Sequence, residues 1–459
     1  MDGFVNAIIN FSNWLWGIPM LVILVGGSLV LTIKLGFFQF RYFPFAMKET
    51  FGKIFKKPEG EGTISPFQAA TAALASTIGA SNIVGVPVAI AFGGPGAVFW
   101  MWIVALIASA AKFSEIVLGI KYREKNEEGE YVGGPMYFLS KGIKSGLGKA
   151  LGIIFSFFLM LEIIPSIATQ AVSAVQTAET INIPNWITGS VLVILVGLVV
   201  FGGIKRIASF TEKLVPFMAL LYIIGGIIII IVNITELPKA IGLIFKHAFT
   251  PIAATGGIAG AGIAQAIRWG TARGVYSNEA GMGTAPIAHS SAVTDHPVRQ
   301  AMWGIFEIVV DTLIVCTVTA LIVLVSGVYE IVPAEQAASM PAVAFQQLLG
   351  NNIGGGVVTI SILLFVLSTI IVIAYYGKTQ AEFLFGATFS KIMIVVYLIA
   401  IILGVYGGIE FLYNFLDVLL ATIIIPNMIG LLMLSNEVKD LKDEFFSNPK
   451  YYKKAKVNN

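Results

Sequence analysis

Apolar stretches close to the length of a bilayer crossing recur from one end of this 459-residue chain to the other. A helix needs roughly 20 such residues to span hydrocarbon, and eleven segments are read at that scale. They run from Trp14 to Leu35, Pro66 to Phe92, Ala97 to Tyr122, Lys149 to Glu179, Trp186 to Gly202 and Phe210 to Ile234. The rest run from Gly256 to Val293, Arg299 to Val325, Gly355 to Tyr376, Lys391 to Tyr406 and Phe411 to Leu434. Lipid offers no partner for a backbone N–H or C=O, so the pattern predicts an all-α integral membrane protein of eleven transmembrane helices. Composition agrees, with 57% hydrophobic and 12% charged residues, where soluble domains carry about 25% charge.

The second segment carries an interruption. From Gly79 to Pro87 it reads Gly-Ala-Ser-Asn-Ile-Val-Gly-Val-Pro, which predicts a membrane helix that breaks halfway. Unwinding at that depth survives only where the freed groups face protein, a cavity or a ligand, and broken helices at the midplane are how transporters build ion and substrate sites.

Basic residues set the expected orientation, because short cytoplasmic loops carry the positive charge. With the N-terminus outside and the C-terminus cytoplasmic, 24 of the 29 lysines and arginines fall inside. The expected location is therefore the cell membrane, crossed many times, with membrane lipid as a partner. The first residues lack the positive region of a cleaved signal, so the first apolar run reads as a retained span. Cys316 is the only cysteine and His247, His289 and His296 are dispersed, which leaves no thiolate cluster and no metal motif. The chain closes on a cytoplasmic basic tail over 435–459, whose final Lys-Tyr-Tyr-Lys-Lys-Ala-Lys reads as a lipid-facing end rather than a nucleic-acid arm.

Internal repetition is visible in design. The broken second segment is followed by a helix marked Phe99-Trp100-Met101-Trp102, and the glycine-rich seventh (Gly270, Gly274, Gly281, Gly283) by one containing Met302-Trp303-Gly304. Each of these tryptophan helices also holds a charged pair at helical spacing, Lys112 with Glu115 and Glu307 with Asp311. A theme that returns after five spans reverses its membrane orientation. The expected organisation is an additional N-terminal helix (1–40) followed by two inverted repeats of five helices, 66–234 and 256–434.

At this point the residues resemble a known family. The stretches GASNIVGVPVAIAFGGPGAVFWMW (79–102), EYVGGPMYFLSKG (130–142) and ARGVYSNEAGMGTAPIAHSSA (272–292) resemble the alanine or glycine:cation symporter family, over nearly the whole chain. The resemblance implies a sodium-coupled carrier of small amino acids such as alanine and glycine, proton-coupled in some members, with the five-plus-five inverted repeat of the leucine-transporter fold. Many members of the family have glycine where Ser81 stands. The small-substrate expectation rests on the resemblance alone.

A zwitterion in a low-dielectric site needs donors for its carboxylate and acceptors for its ammonium. An interrupted helix supplies both: amides and a positive dipole end at Gly79, Ala80, Ser81 and Asn82, and carbonyls at Ala75, Thr77 and Ile78. Aligning Gly79, Asn82 and Pro87 on the leucine-transporter pattern implies a sodium site. It would comprise the carbonyls of Ala75, Ile78 and Phe365 and the hydroxyls of Ser368 and Thr369. The structural alternative for such hydroxyls is a hydrogen bond to their own helix. Gln170, in apolar or small surroundings, can donate to a carboxylate and accept from an ammonium, or serve as glue between helices. Trp269, Gly270, Thr271 and Gly274 are expected where a second break faces the first, with carbonyls on the ammonium and Trp269 as a wall, unless Trp269 is packing.

The charged pairs Lys112/Glu115 and Glu307/Asp311 read as structural, several turns from the breaks. Glu162, Arg268, Arg273 and Glu279 lie closer to the presumed pathway, with an arginine–Glu279 gate or an aqueous vestibule as the alternatives. Sodium is expected as coupling ion, with no cofactor. An intramembrane enzyme is disfavoured because no His-Glu-x-x-His or Gly-x-Ser-x-Gly motif occurs. A cation channel is disfavoured by an internal, inverted repeat. The serious rival is a proton-coupled amino-acid symporter using Glu162 or Glu279.

Overall fold

The computed structural model describes residues 10–12, 14–179, 182–252, 262–406 and 410–452. The start of the expected seventh span (256–261), the first nine residues of the N-terminal segment and the tail beyond 452 lie outside the described residues. Nearly all of the rest is helix.

The helices that position the site are α1 (Ile18–Lys34), α2 (Pro66–Thr77), α3 (Ser81–Gly93), α4 (Gly96–Lys121), α5 (Gly146–Glu179), α6 (Asn185–Val200) and α7 (Gly203–Val232). They are followed by α8 (Ile263–Asn278), α9 (Pro297–Val325), α10 (Gly354–Tyr406), α11 (Glu410–Met433) and α12 (Ser435–Ser447). Among the described residues six helices are long and apolar enough to cross a membrane, seven if α2 and α3 count as one bent span, and α1 and α6 are shorter apolar helices.

Burial separates the layers. The most apolar window of α4 is 83% buried and that of α7 only 33%, so α4 is central and α7 lies at the periphery. α4 packs on α8 and α9, while α5 packs on α10 and α11. Exposed Trp186, Leu198, Phe217 and Ile231 give α6 and α7 an apolar outer face suited to acyl chains.

Local chemistry starts and stops α2. Ser65 and Gln68 form a reciprocal capping box ahead of Pro66: the Ser65 amide donates to Gln68 Oε1 (3.0 Å) and the Gln68 amide to Ser65 Oγ (3.1 Å). The helix ends where Ile78 turns extended (ψ 90°), and α3 leaves at 50° to α2. α3 opens with a π turn over Ser81–Gly85, a widened turn found often at functional sites. The predicted interruption is present.

One sequence expectation is corrected here: the spans read as ending at Tyr376 and resuming at Lys391 are joined by helix, interrupted at Gly386 alone (φ 84°). Lys378 and Glu382 pair along that helix at 3.6 Å, which makes its charges compatible with helix rather than loop. Within the tail, α12 docks on the bundle, with Lys34 Nζ donating to Ser435 Oγ (2.7 Å) and Lys442 Nζ to the Leu35 carbonyl (2.9 Å).

Candidate functional site

The break between α2 and α3 opens onto a cavity of about 80 Å³. Ser76 and Ser81 reach it from the broken span, Glu162 and Gln170 from α5, Glu279 from the end of α8, and Thr369 from α10. The Gln170 Oε1 is buried without a partner, an acceptor left over in a site where unmatched polar atoms cost free energy. Glu162 accepts from the Ser166 hydroxyl. Glu279 accepts from Thr284 Oγ1 (2.6 Å) and Ser76 Oγ (3.3 Å), and Ser76 also meets Tyr376 Oη at 3.3 Å. Two carboxylates and a free amide oxygen, with no lysine or arginine among the described lining residues, make the cavity rich in acceptors for an ammonium or a metal cation.

The residues of the implied sodium set meet in two pairs. Thr369 Oγ1 donates to the Ala75 carbonyl at 2.9 Å, across 294 residues of sequence. Ser368 Oγ donates to the Phe365 carbonyl at 2.9 Å within its own helix and lies 3.5 Å from Met218 Sδ. A Cβ at position 79 would stand 3.0 Å from Thr369 Oγ1, so Gly79 is what allows α10 this close to the break. Ile78 is fully buried at the end of α2.

The expected carboxylate donors divide. The first amides of a helix have no intrahelical partner, but two here are already used: Gly79 N–H donates to Asn82 Oδ1 (3.0 Å) and Asn82 N–H to the Gly79 carbonyl (3.2 Å). Ala80 and Ser81 are left to offer theirs. Asn82 itself is fully buried and turned away, its Nδ2 donating to Asp311 Oδ1 (2.7 Å) and Ser277 Oγ (3.0 Å). Thr77 is likewise outside the cavity lining, with its hydroxyl on the Ala73 and Leu74 carbonyls of its own helix.

The second break is displaced from its expected place. Trp269, Gly270, Thr271 and Gly274 all lie in continuous helix α8 and none lines the cavity. Their carbonyls are committed to the helix ladder, so they cannot hold an ammonium. A Cβ on Gly270 would fall 2.3 Å from the Ala97 carbonyl, which makes this glycine a close-packing contact with α4. Trp269 stacks on Phe92 of α3 at 5.3 Å. Thr271 faces a small crevice beside Trp16 and Leu24. The chain unwinds instead after Asn278, where Glu279, Gly281 and Gly283 take φ of 55°, 89° and 82°, and re-enters helix at Ala285–His289.

The charged pairs do more than was expected of them. Lys112 pairs with Glu307 (3.2 Å) rather than Glu115 and donates to the Asn278 carbonyl (2.8 Å), the last residue of α8. Glu115 accepts from the amides of Gly281 and Gly283, the freed donors of the second break. Glu307 also meets His289. Asp311 accepts from Asn82 and, at 2.8 Å, from Ser277 Oγ. These groups hold the ends of both breaks, and only pairing makes such charges tolerable inside a membrane protein. Of the two alternatives for these residues, the arginine–Glu279 gate is not formed: Glu279 is held by Ser76 and Thr284, and Arg273 Nε is buried without a hydrogen bond.

Comparison with known proteins decides the class. The sequence matches the model of the sodium:alanine symporter family over residues 1–459. The chain belongs to the sodium:alanine symporter family. It is 41% identical to the sodium/alanine symporter AgcS of Methanococcus maripaludis over 95% of this chain and 96% of that one. It is 52% identical to an uncharacterized transporter, YflA of Bacillus subtilis, over 97% and 94%. Among solved structures it resembles MhsT in complex with L-phenylalanine, with a TM-score of 0.55 and 13% identity over 82% of this chain and 89% of that one. That likeness concerns the fold, a leucine-transporter-type helical bundle. As a member of this family the chain is a multi-pass membrane transporter of the alanine:cation symporter class.

Sequence reasoning singled out Gln170, Glu162, Glu279 and Thr369 and missed Ser76, Ser166, Tyr276 and Tyr376. Ser76 had one signal, a hydroxyl one residue from two expected ligands. Tyr376 had one too, since it lies seven residues beyond Thr369 and so on the same face of the same helix.

Proposed function

We propose that this protein is a sodium-coupled symporter that imports small amino acids, alanine and glycine, by alternating access. The observation that carries this reading is the 2.9 Å contact of Thr369 Oγ1 with the Ala75 carbonyl, beside a cavity whose lining is rich in acceptors. Sodium would take the carbonyls of Ala75, Ile78 and Phe365 and the hydroxyls of Ser368 and Thr369. The substrate carboxylate would take the amides of Ala80 and Ser81 and the Gln170 side chain. Its ammonium would face Glu162, Glu279 and the free Gln170 oxygen.

Coupling follows from sharing. If ion and substrate order the same unwound segment, the first to bind reduces the cost of binding the second. The proposed frame is an additional N-terminal helix followed by two inverted five-helix repeats, eleven crossings in all, with the N-terminus outside. It is supported by the two breaks, each followed by a helix with two buried ionisable residues, and by the division of α10 at Gly386.

A second reading, proton coupling, is favoured by one observation: Glu162 and Glu279 both line the cavity. Alanine uptake into proteoliposomes under separately imposed gradients tests both. Uptake driven by inward sodium, and not by an inward proton gradient without sodium, supports the first. The reverse result would move the coupling role to the two glutamates.

A further inference from the structure

Outside the inner cavity lies a second, larger one of about 190 Å³. Ser12 and Trp16 bound it where the chain enters α1, Arg268, Ala272, Arg273 and Tyr276 line it from α8, and Asp417 from α11. Tyr276 belongs to the linings of both cavities, so one ring stands between the two chambers.

The charges of this outer chamber face one another without direct contact: Arg273 and Asp417 line the same cavity within electrostatic reach of each other but form no ion pair. Neither Arg268 nor Arg273 forms an ion pair among the described residues. Arg273 Nε is buried without a hydrogen-bond partner. The two guanidinium groups lie near the Trp269 ring instead, at 5.9 and 5.4 Å from its centroid. Stacking of this kind holds a guanidinium in place but leaves its in-plane donors unused. Opposite them, Asp417 is fixed by its backbone: its carbonyl accepts from Trp16 Nε1 at 2.8 Å, and its carboxylate has only a distant Ser12 hydroxyl at 3.5 Å. The chamber therefore offers a planar donor fork for a carboxylate and, across from it, a carboxylate for a cation.

We propose that the outer chamber is a second binding site for an amino-acid zwitterion, its carboxylate on Arg273 and Arg268 and its ammonium on Asp417. Resting on the symporter reading above, this site captures the substrate before Tyr276 yields to the inner cavity. Its polar groups all come from α8, α11 and the start of α1, and none of them belongs to the sodium set. Occupancy of the outer site is therefore independent of sodium, while the inner site depends on it. A simple carboxylate, lacking the ammonium, binds the chamber more weakly because Asp417 then opposes it.

The test uses the full chain in lipid nanodiscs and equilibrium binding of radiolabelled L-alanine. Two alanines bind per chain in sodium and one without it. Arg273→Gln removes the sodium-independent one and Gln170→Leu the other. A second measurement reads the chamber directly: in Ala272→Cys combined with Gln170→Leu, alanine slows thiol labelling at least fivefold, and propionate at the same concentration slows it less. Cys316 is buried and does not interfere. One alanine per chain, with affinity unchanged by Arg273→Gln, and Ala272→Cys labelling indifferent to alanine would overturn the outer site while leaving the inner one standing. Equal protection by propionate and alanine would overturn the zwitterion assignment. No alanine binding of any kind would instead remove the symporter reading on which the outer site rests.

Discussion

Asn82 and Asp311, 229 residues apart in sequence, meet at 2.7 Å in the buried centre of the molecule. The same asparagine caps the first break through Gly79 N–H, and the same aspartate takes the hydroxyl of Ser277, one residue before the end of α8. One side-chain pair thus ties the two unwound segments to each other and to α9.

Because this tie sets the spacing of both breaks, Asp311→Asn weakens alanine and sodium together, by about tenfold each. The asparagine keeps an acceptor for Asn82 but loses the charge, and hydrogen bonds to charged groups are worth about 1.5–3 kcal/mol. Sodium-dependence curves of alanine uptake read both affinities. A change confined to one ligand would contradict the shared tie.

Glu115 holds the amides of Gly281 and Gly283. Glu115→Ala leaves two buried donors unsatisfied, so the expected destabilisation is about 2–6 kcal/mol at about 1–3 kcal/mol for each. Glu115→Gln retains one acceptor and loses less. Thermal unfolding of the purified variants in detergent, with wild type alongside, gives the order.

Thr369 reaches across to the first break, whereas Ser368 bonds within its own helix. Thr369→Val therefore raises the sodium concentration for half-maximal uptake by about tenfold or more, the equivalent of ~1.4 kcal/mol. Ser368→Ala raises it by less. Equal effects would show that the cross-helix contact carries no special weight.

At the cytoplasmic end expected from the basic residues, Glu437 of α12 meets Lys121 Nζ (2.6 Å) and Tyr122 Oη (2.7 Å). Burial raises its carboxyl, but the bonds from Lys121 and Tyr122 outweigh it and hold the group below its usual 4.5. A depressed carboxyl contributes stability above its unfolded value, and that contribution is lost as pH falls through the lower folded one. The protection of 435–447 against hydrogen exchange, taken relative to the intrinsic rate at each pH, accordingly falls on acidification below about pH 4.5, and Glu437→Gln reduces that fall, Asp443 with Lys439 and Lys442 supplying the remainder.

The membrane setting, the first interruption and the family were legible in the sequence, because each is written in local composition: apolar length, Gly79 and Pro87 within a span, and the strings around Ser277 to Gly281. Gln170, Glu162 and Glu279 were legible as polar residues in apolar surroundings, where a carboxylate or free amide needs a reason. The second break was not. Gly270 and Gly274 look like Gly281 and Gly283 in one dimension, but the first two serve close helix packing and only the latter adopt left-handed backbone.

The sequence alone determined that this chain must satisfy its backbone in lipid and must unwind near Gly79, since both follow from residue type and spacing. Only the tertiary structure decided which charges meet. Lys112 and Glu115, three residues apart, part company to hold different ends of the second break, while Asn82 finds Asp311 from another helix. The reason is physical: a buried charge takes whichever partner the packing brings within a few ångströms, and adjacency along a helix does not choose it.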